Sequence, residues 1–352
     1  MTRRPLRTVY IVLSCDTDPD RQGFLDGVPS PSKGLAWRGM TEGIPAAKTF
    51  LRDVRDSRGR EPVFTWLLRV DDQVRRMQGD YAWVMQNHDT LLRSLQESGD
   101  ELGWHPHFWR RESERDGATW FQEVEDVDWQ VQMMHEANRA MAQSWVGKPQ
   151  SVRMGWAYHN NRTFAALDEL GVAVDCSALP GYRTFRGRPP TRGENNFDWR
   201  SSPRRPFRPS RNDYRRPPAP GEDAFRVLEV PGFMSGSIPW ALVSSLQLAR
   251  KTGDLGQVWD AIRRPSYNVN ITTKPVFFAP LVAALRSTLK RVNGPEPIVF
   301  STQCHADEFL PNKTTLYSLS SVKANLEALI GACDAAGVPV QFTQLREIAA
   351  LF

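Results

Sequence analysis

Cysteine is scarce in this chain: there are 4 in 352 residues, and no two form a C-x-x-C pair. Cys15, Cys176, Cys304 and Cys333 lie far apart, so buried free thiols are expected rather than a disulfide framework or a thiolate metal site. Long apolar runs are also missing. The longest, Pro275 to Leu285, is broken by Pro280 and is too short to span a bilayer. Behind the basic first residues the apolar run is only Val9 to Leu13, which reads as a core strand and not as a signal peptide. A soluble, reducing, cytoplasmic setting without a transmembrane segment is the resulting expectation. No G-x-S-x-G elbow is present, which disfavours a serine hydrolase, and there is no internal repeat. The excess of positive charge is small, +5, and much of it is arginine between Tyr182 and Pro218. With no base-reading motif and no RNA-binding aromatic signature beside those arginines, nucleic acid is not an expected partner.

Apolar residues make up 40% of the chain, which is ample for a core. The length would suit two average domains, but barrels of alternating strands and helices also reach it as one unit with insertions. Strand-like and helix-like segments do alternate. Strands are predicted at Val9 to Ser14, Pro62 to Val70, around His105, at Ser151 to Trp156, Val172 to Cys176, Arg226 to Pro231, Ile298 to Thr302 and Val338 to Phe342. Helices are predicted near 44–55, 81–97, 129–145 and 162–170, the last closed by Gly171. Repeated β-then-α units predict an α/β fold, a distorted (β/α) barrel of seven or eight parallel strands forming a single catalytic domain over 1–352. Two insertions interrupt it. Residues 181–222 are rich in Pro and Arg, either a solvated excursion or a lid bringing guanidinium groups to an anionic or polyhydroxylated ligand. Residues 238–292 carry amphipathic helical stretches, read as packing more than as a membrane-surface helix.

Histidine is rare too, with 6 in the chain, yet His105 and His107 fall at i and i+2 in the run Glu101 to Trp109. On a strand, alternate side chains share a face, so the two imidazoles can converge on a metal; the rival reading is two unrelated histidines on a solvated strand. Asp16 and Asp18 again share a face just past the first strand, where they could also cap a turn before Pro19. The strand at Ile298 runs into Gln303-Cys304-His305-Ala306-Asp307-Glu308. Three strands therefore finish in carboxylates or imidazoles, and the C-terminal strand ends are where such barrels build their sites.

In this order the motifs resemble those of the polysaccharide deacetylases, carbohydrate esterase family 4, from Asp16 to about Glu308. The resemblance implies Asp16 as catalytic base, Asp18 as metal carboxylate and the run Glu101 to Trp109 as the source of the metal histidines. It implies Arg153, in Val152-Arg153-Met154-Gly155-Trp156, as support for the base. His305 becomes the catalytic histidine, oriented by Asp175. Two departures stand out. The usual adjacent Asp-Asp is here Asp16-Thr17-Asp18, and Trp109 stands where the usual second histidine ligand falls, so His107 is assigned in its place. A divalent metal, zinc first, held by Asp18, His105 and His107 would acidify a water to a pKa of about 7 for attack on an acyl carbon. Arg69, Asp71, Trp109, Trp156 and His159 are placed to touch substrate. Trp104 is an aromatic near a strand end, read as sugar-stacking wall or core, and His88 and His135 are read as surface or packing residues.

The implied activity is removal of an N-acetyl group from an amino sugar in a saccharide. Two alternatives remain open. One keeps the fold and cleaves a non-sugar or N-formyl C-N bond. The other is a non-catalytic protein whose arginines grip a glycan or another anion.

Overall fold

The computed structural model describes residues 7–20, 35–114, 117–183, 197–291, 294, 296–311 and 316–352. In chain order the elements begin with β1 (Val9–Thr17), α1 (Ile44–Leu51), β2 (Phe64–Leu68), α2 (Asp72–Gln78), α3 (Trp83–Asn87) and α4 (Asp89–Glu97). Then come β3 (Glu101–Trp104), β4 (Trp109–Glu114), β5 (Gly117–Gln122), α5 (Val127–Gln143), β6 (Ser151–Val152), α6 (Asn161–Leu170), β7 (Val174–Asp175) and β8 (Leu228–Glu229). The chain closes with α7 (Ile238–Thr252), α8 (Gly256–Arg263), α9 (Pro275–Arg291), β9 (Ile298–His305), α10 (Leu319–Asp334) and β10 (Val340–Phe342).

β1 organises the sheet. Along one edge it pairs with β9 from Val9 to Asp16; the other edge is shared, with β10 alongside Val9–Ile11 and β2 alongside Leu13–Thr17. From β2 the sheet continues through β3, β6, β7 and β8, every pairing parallel. This is the expected distorted (β/α) barrel. Among the described residues no ladder joins β8 to β9. Irregular backbone covers that edge instead, with the Phe233 N–H donating to the Ser301 carbonyl (2.8 Å) and the Ile271 N–H to that of Gln303 (3.0 Å).

Both faces of the sheet are buried, which is why β1 reads as an unbroken apolar run. Strand alternation sorts its residues. Val9, Ile11, Leu13 and Cys15 pack outward against the helices, while Val12 joins Leu67, Val174, Cys176, Leu228 and Val230 inside the barrel. A turn of 3-10 helix, Leu345–Leu351, closes the barrel floor with Leu345 and Ile348. Glu101 lies buried in that floor, where it accepts from Ser151 Oγ (2.6 Å), Thr65 Oγ1 (3.0 Å) and the Arg346 N–H (3.1 Å).

Local signals account for several helix ends. Asn160 caps α6 in a reciprocal box with Thr163, and Gly171 ends it in the left-handed region at φ 68°. Three features depart from the sequence reading. The strand carrying the histidines stops at Trp104, so His105 to Phe108 are irregular. An antiparallel hairpin, β4–β5, follows it. An additional short helix, α2, is nucleated by the Asp71 side chain accepting from the Val74 N–H.

In the Pro/Arg-rich insertion, residues 184–196 lie outside the described set. Many described arginines there have carboxylate partners: Arg183 on Asp254 and Asp260, Arg200 on Asp198, Arg211 on Asp168, Arg215 on Asp213, and Arg216 on Glu222. These contacts favour the excursion over the lid for the described part. All four cysteines are buried and free. Among the described residues no helix is long and apolar enough to cross a membrane.

Candidate metal centre

Asp16 and His305 are register partners across β1 and β9, so both side chains enter the barrel at the C-terminal strand ends. Asp18, two residues on, follows the same face. His305 Nε2 lies 3.7 Å from one oxygen of each aspartate. Just past β3, His105 Nε2 approaches Asp18 Oδ2 at 3.4 Å, and His107 Nε2 approaches Asp18 Oδ1 at 3.5 Å. The two imidazole Nε2 atoms are 3.1 Å apart. Two ligand sets result, Asp18/His105/His107 and Asp16/Asp18/His305, each with donor atoms within 4.8 Å of one another.

Irregular backbone carries His107 to this point. Its N–H donates to Asp71 Oδ2 (3.0 Å), and the Gly155 N–H donates to the Pro106 carbonyl (2.8 Å). Gly155 is required by space: a Cβ there would fall 2.2 Å from the His107 ring.

The protonation pattern suits a cation. His105 Nδ1–H donates to the Arg153 carbonyl (2.8 Å), a network assignment that turns the Nε2 lone pair toward Asp18 and His107. Burial, with the Arg69 charge next, holds the His107 pKa well below its ordinary value, so this ring is neutral. Asp18 stays ionised: burial opposes its charge, but His105 and Arg69 outweigh that and hold its pKa well below the usual range. His105 is the group that can take a proton here, because Asp16 and Asp18 outweigh the opposing effect of burial and raise its pKa. In the cluster as it stands the carboxylate charge is offset by Arg69, Arg153 and a proton on His105, and a divalent ion among the same donor atoms would take the place of that proton. His107 Nδ1 is buried without a hydrogen-bond partner. One carboxylate and two imidazoles form a donor set that suits a zinc-like divalent ion.

Arg153 backs Asp16. Its Nη1 donates to Asp16 Oδ1 (2.8 Å), its Nη2 to Ser14 Oγ (2.5 Å) and its Nε to the Cys176 carbonyl (3.3 Å). Burial works against the guanidinium charge, but Asp16 raises its pKa, so the ion pair persists.

Several expected roles need correction. Asp175 does not orient His305. It sits on the opposite parity of β7 from Val174 and Cys176, which face the barrel interior, so its carboxylate points to the outer layer. There it meets His159 Nε2 (3.0 Å) and Ser177 Oγ (2.6 Å). Glu229 lies beside it, with its pKa raised well above the usual range by burial and by Asp175. His159 is buried in this outer cluster, its Nδ1 paired with Thr163 Oγ1 (2.9 Å), and is not a substrate contact. Arg69 and Asp71 are buried as well. Arg69 Nη1 donates to Asp18 Oδ1 (2.5 Å), its Nε to Asp71 and its Nη2 to Gln73 Oε1 (2.8 Å), so the pair braces the site from behind. Trp109 is buried and stacks parallel to His107 at 5.9 Å. Trp156, edge-on to Trp109 at 5.8 Å, remains partly exposed. Its φ of 60° and that of Ala157, 54°, put two successive non-glycine residues in the left-handed region beside the histidines.

Glu308 was not anticipated. On the 3-10 turn Ala306–Phe309 it brings Oε1 to 3.5 Å from His305 Nδ1, while Thr272 Oγ1 (2.5 Å) and Asn270 Nδ2 (2.7 Å) hold it. The signal available was an acid three residues after a histidine at a strand exit.

No protein-family model and no curated protein sequence matches this chain. Solved structures do. A Parabacteroides distasonis protein provisionally named a glycoside hydrolase/deacetylase superposes with TM-score 0.58 at 12% identity, over 99% of this chain and 71% of that one. A Mycobacterium smegmatis protein provisionally named a polysaccharide deacetylase aligns with TM-score 0.48 at 13% identity, over 99% and 93%. A family 4 carbohydrate esterase from Streptomyces lividans aligns with TM-score 0.34 at 9% identity, over 96% and 92%. The likeness to the first shows the class of fold, a distorted (β/α) barrel. In backbone architecture the chain matches what its polysaccharide-deacetylase-like motifs led one to expect.

Proposed function

We propose that the protein is a metal-dependent hydrolase that removes an N-acetyl group from an amino sugar within a saccharide. The observation that carries this reading is the meeting of Asp18, His105 and His107 beside the Asp16–Arg153 pair and His305, all at the C-terminal mouth of the barrel. Asp18 and the two Nε2 atoms would hold a divalent ion, zinc being the first choice for one carboxylate and two imidazoles. Bound there, the ion supplies Lewis acidity toward an acyl carbonyl and a water.

The remaining work falls to the chain's own groups. Asp16 Oδ1 is engaged by Arg153, which leaves Oδ2 directed at His305 and the centre of the site. That oxygen accepts the proton of the attacking water. His305 Nε2, on the opposite side of the aspartates, delivers a proton to the departing sugar nitrogen, which leaves as the free amine with acetate as coproduct. Trp156 offers its exposed edge to the sugar or acyl group. A cytoplasmic setting, with all four thiols free, belongs to the same proposal.

The test is acetate release from N-acetylated oligosaccharides by the metal-loaded protein, with formate release from N-formyl analogues measured in parallel. Acetate production that needs metal supports the reading. No release from any acylated saccharide by protein with a full metal complement rejects it.

A further inference from the structure

The insertion between β8 and β9 buries one side of each of its first two helices and leaves the other bare. Along α8 and its N-cap, Leu255, Trp259 and Ile262 recur at i, i+4 and i+7 and are 75, 54 and 50% exposed, while Gln257 and Ala261 are buried. α7 repeats the pattern, with Val243 and Leu246 48 and 55% exposed and Ala241 and Ala249 buried. Only Gly253, Asp254 and Leu255 separate the helices, and Gly253 turns the chain at φ 75°, so the two lie side by side. With Ile238, 53% exposed at the start of α7, six large apolar side chains lie bare on one helical pair and mark an interaction surface.

Charge on this pair is sorted by side. Its carboxylates turn inward: Asp254 and Asp260 both engage Arg183, at 2.9 and 2.7 Å. Two of its guanidinium groups stay outside. Arg250 and Arg263 are exposed, and Arg263 lies over the Trp259 ring at 4.8 Å, while Arg264 donates back to the Arg200 carbonyl (2.6 Å). Solvent therefore meets an apolar stripe with a positive fringe. A second copy of this chain would satisfy the leucines but would set arginine against arginine. A bilayer with anionic headgroups satisfies both, taking the apolar groups at the acyl boundary and Trp259 at the interface while its phosphates meet the arginines.

We propose that the α7–α8 pair docks the protein on an anionic lipid surface, with Leu255, Trp259 and Ile262 entering the interface and Arg250 and Arg263 reaching the headgroups. This docking face is independent of the metal centre and of the reaction assigned to it.

Cosedimentation of the full chain with phosphatidylcholine vesicles, with and without a quarter phosphatidylglycerol, tests the proposal. Binding is expected to the phosphatidylglycerol vesicles and to weaken as salt rises. Leu255→Ser combined with Trp259→Ser should lower the partition coefficient by at least about tenfold. Arg250→Glu combined with Arg263→Glu should remove the preference for phosphatidylglycerol. All four positions are exposed, so circular dichroism should match the parent. Absence of vesicle binding, or binding that both double variants leave unchanged, overturns the proposal. So does a dimer in analytical ultracentrifugation that Trp259→Ser dissociates, which would give the surface to a second copy.

Discussion

Asp16 and His305 stand directly opposite each other on adjacent parallel strands, and His305 Nε2 reaches to 3.7 Å from Asp16 Oδ2 inside the barrel. Register alone fixes this relationship, because partners in a parallel pair point their side chains to the same face. The carboxylate proposed as base and the imidazole proposed as acid are thereby held by the sheet itself. The loops at the strand ends then supply the proposed metal ligands.

Asp16→Asn should lower turnover by about 10²- to 10⁴-fold, the range for loss of a positioned general base. Arg153 can still donate to the amide oxygen, and Asp18, His105 and His107 are untouched, so metal content should match the parent. Acetate release and elemental analysis on the same preparation check this; an Asn variant with parental turnover removes Asp16 from the chemistry.

Dialysis against a chelator should abolish activity, and readdition of zinc should restore it. In His107→Ala, the neutral imidazole is lost while Asp18 and His105 remain. Metal affinity should fall by at least tenfold, as read by competition with a chromophoric chelator. Retention of full affinity would mean that the ion is held by Asp16, Asp18 and His305 instead, the other set whose donor atoms converge.

Gly155→Ala should act through the same histidine. The added methyl would meet the His107 ring at 2.2 Å, and the ring must move. An overpacking cost of about 1–3 kcal/mol is expected in chemical denaturation. Metal stoichiometry should drop as well, which overpacking elsewhere in the core would not cause. An Ala variant with unchanged metal binding would show that the ring adapts in place.

Much of this was legible in the sequence, and the part that was not has a common cause. Asp16, Asp18, His105 and Arg153 could be placed because each sits on or near a strand whose alternation is visible in the residues themselves. His107 arrives at the same point by a different route, through backbone bonds to Asp71 and Gly155 that no periodicity encodes. Asp175 was misassigned although the pattern was available: Val174 and Cys176 flank it as interior residues, which sends its carboxylate outward. Arg69 and Asp71 looked like substrate contacts because they follow a strand end, but position along a strand does not reveal burial. The β4–β5 hairpin was missed because its charged residues, such as Arg110, Arg111, Glu112 and Glu114, lack an apolar alternation.

The four thiols should resist alkylation in the native protein at pH 8 and all react after unfolding. Each is buried, and burial raises the pKa of every one of them, that of Cys333 to about 12, so the reactive thiolate is scarce. Mass spectrometry after iodoacetamide treatment with and without denaturant gives the count. Rapid native labelling of any one would place it at a mobile part of the fold.

Asp175 and Glu308 separate stability from catalysis. Removing the Asp175 carboxylate takes the acceptor from Ser177 Oγ and the facing oxygen from buried His159 Nε2, so Asp175→Ala should cost about 1–3 kcal/mol in urea unfolding. His305 has no contact with Asp175, so metal content and the pH dependence of turnover in the folded fraction should stay as in the parent. Glu308→Gln predicts the reverse. The amide can keep a bond from Thr272 or Asn270, so stability should change by less than about 1.5 kcal/mol, within the worth of a single hydrogen bond. The carboxylate oxygen 3.5 Å from His305 Nδ1 is replaced, however, so the imidazole loses the group that faces its far nitrogen. kcat should therefore fall with KM little changed, while metal content matches the parent. A fall in kcat in folded Asp175→Ala, together with an unchanged kcat in Glu308→Gln, would return the orienting role to Asp175.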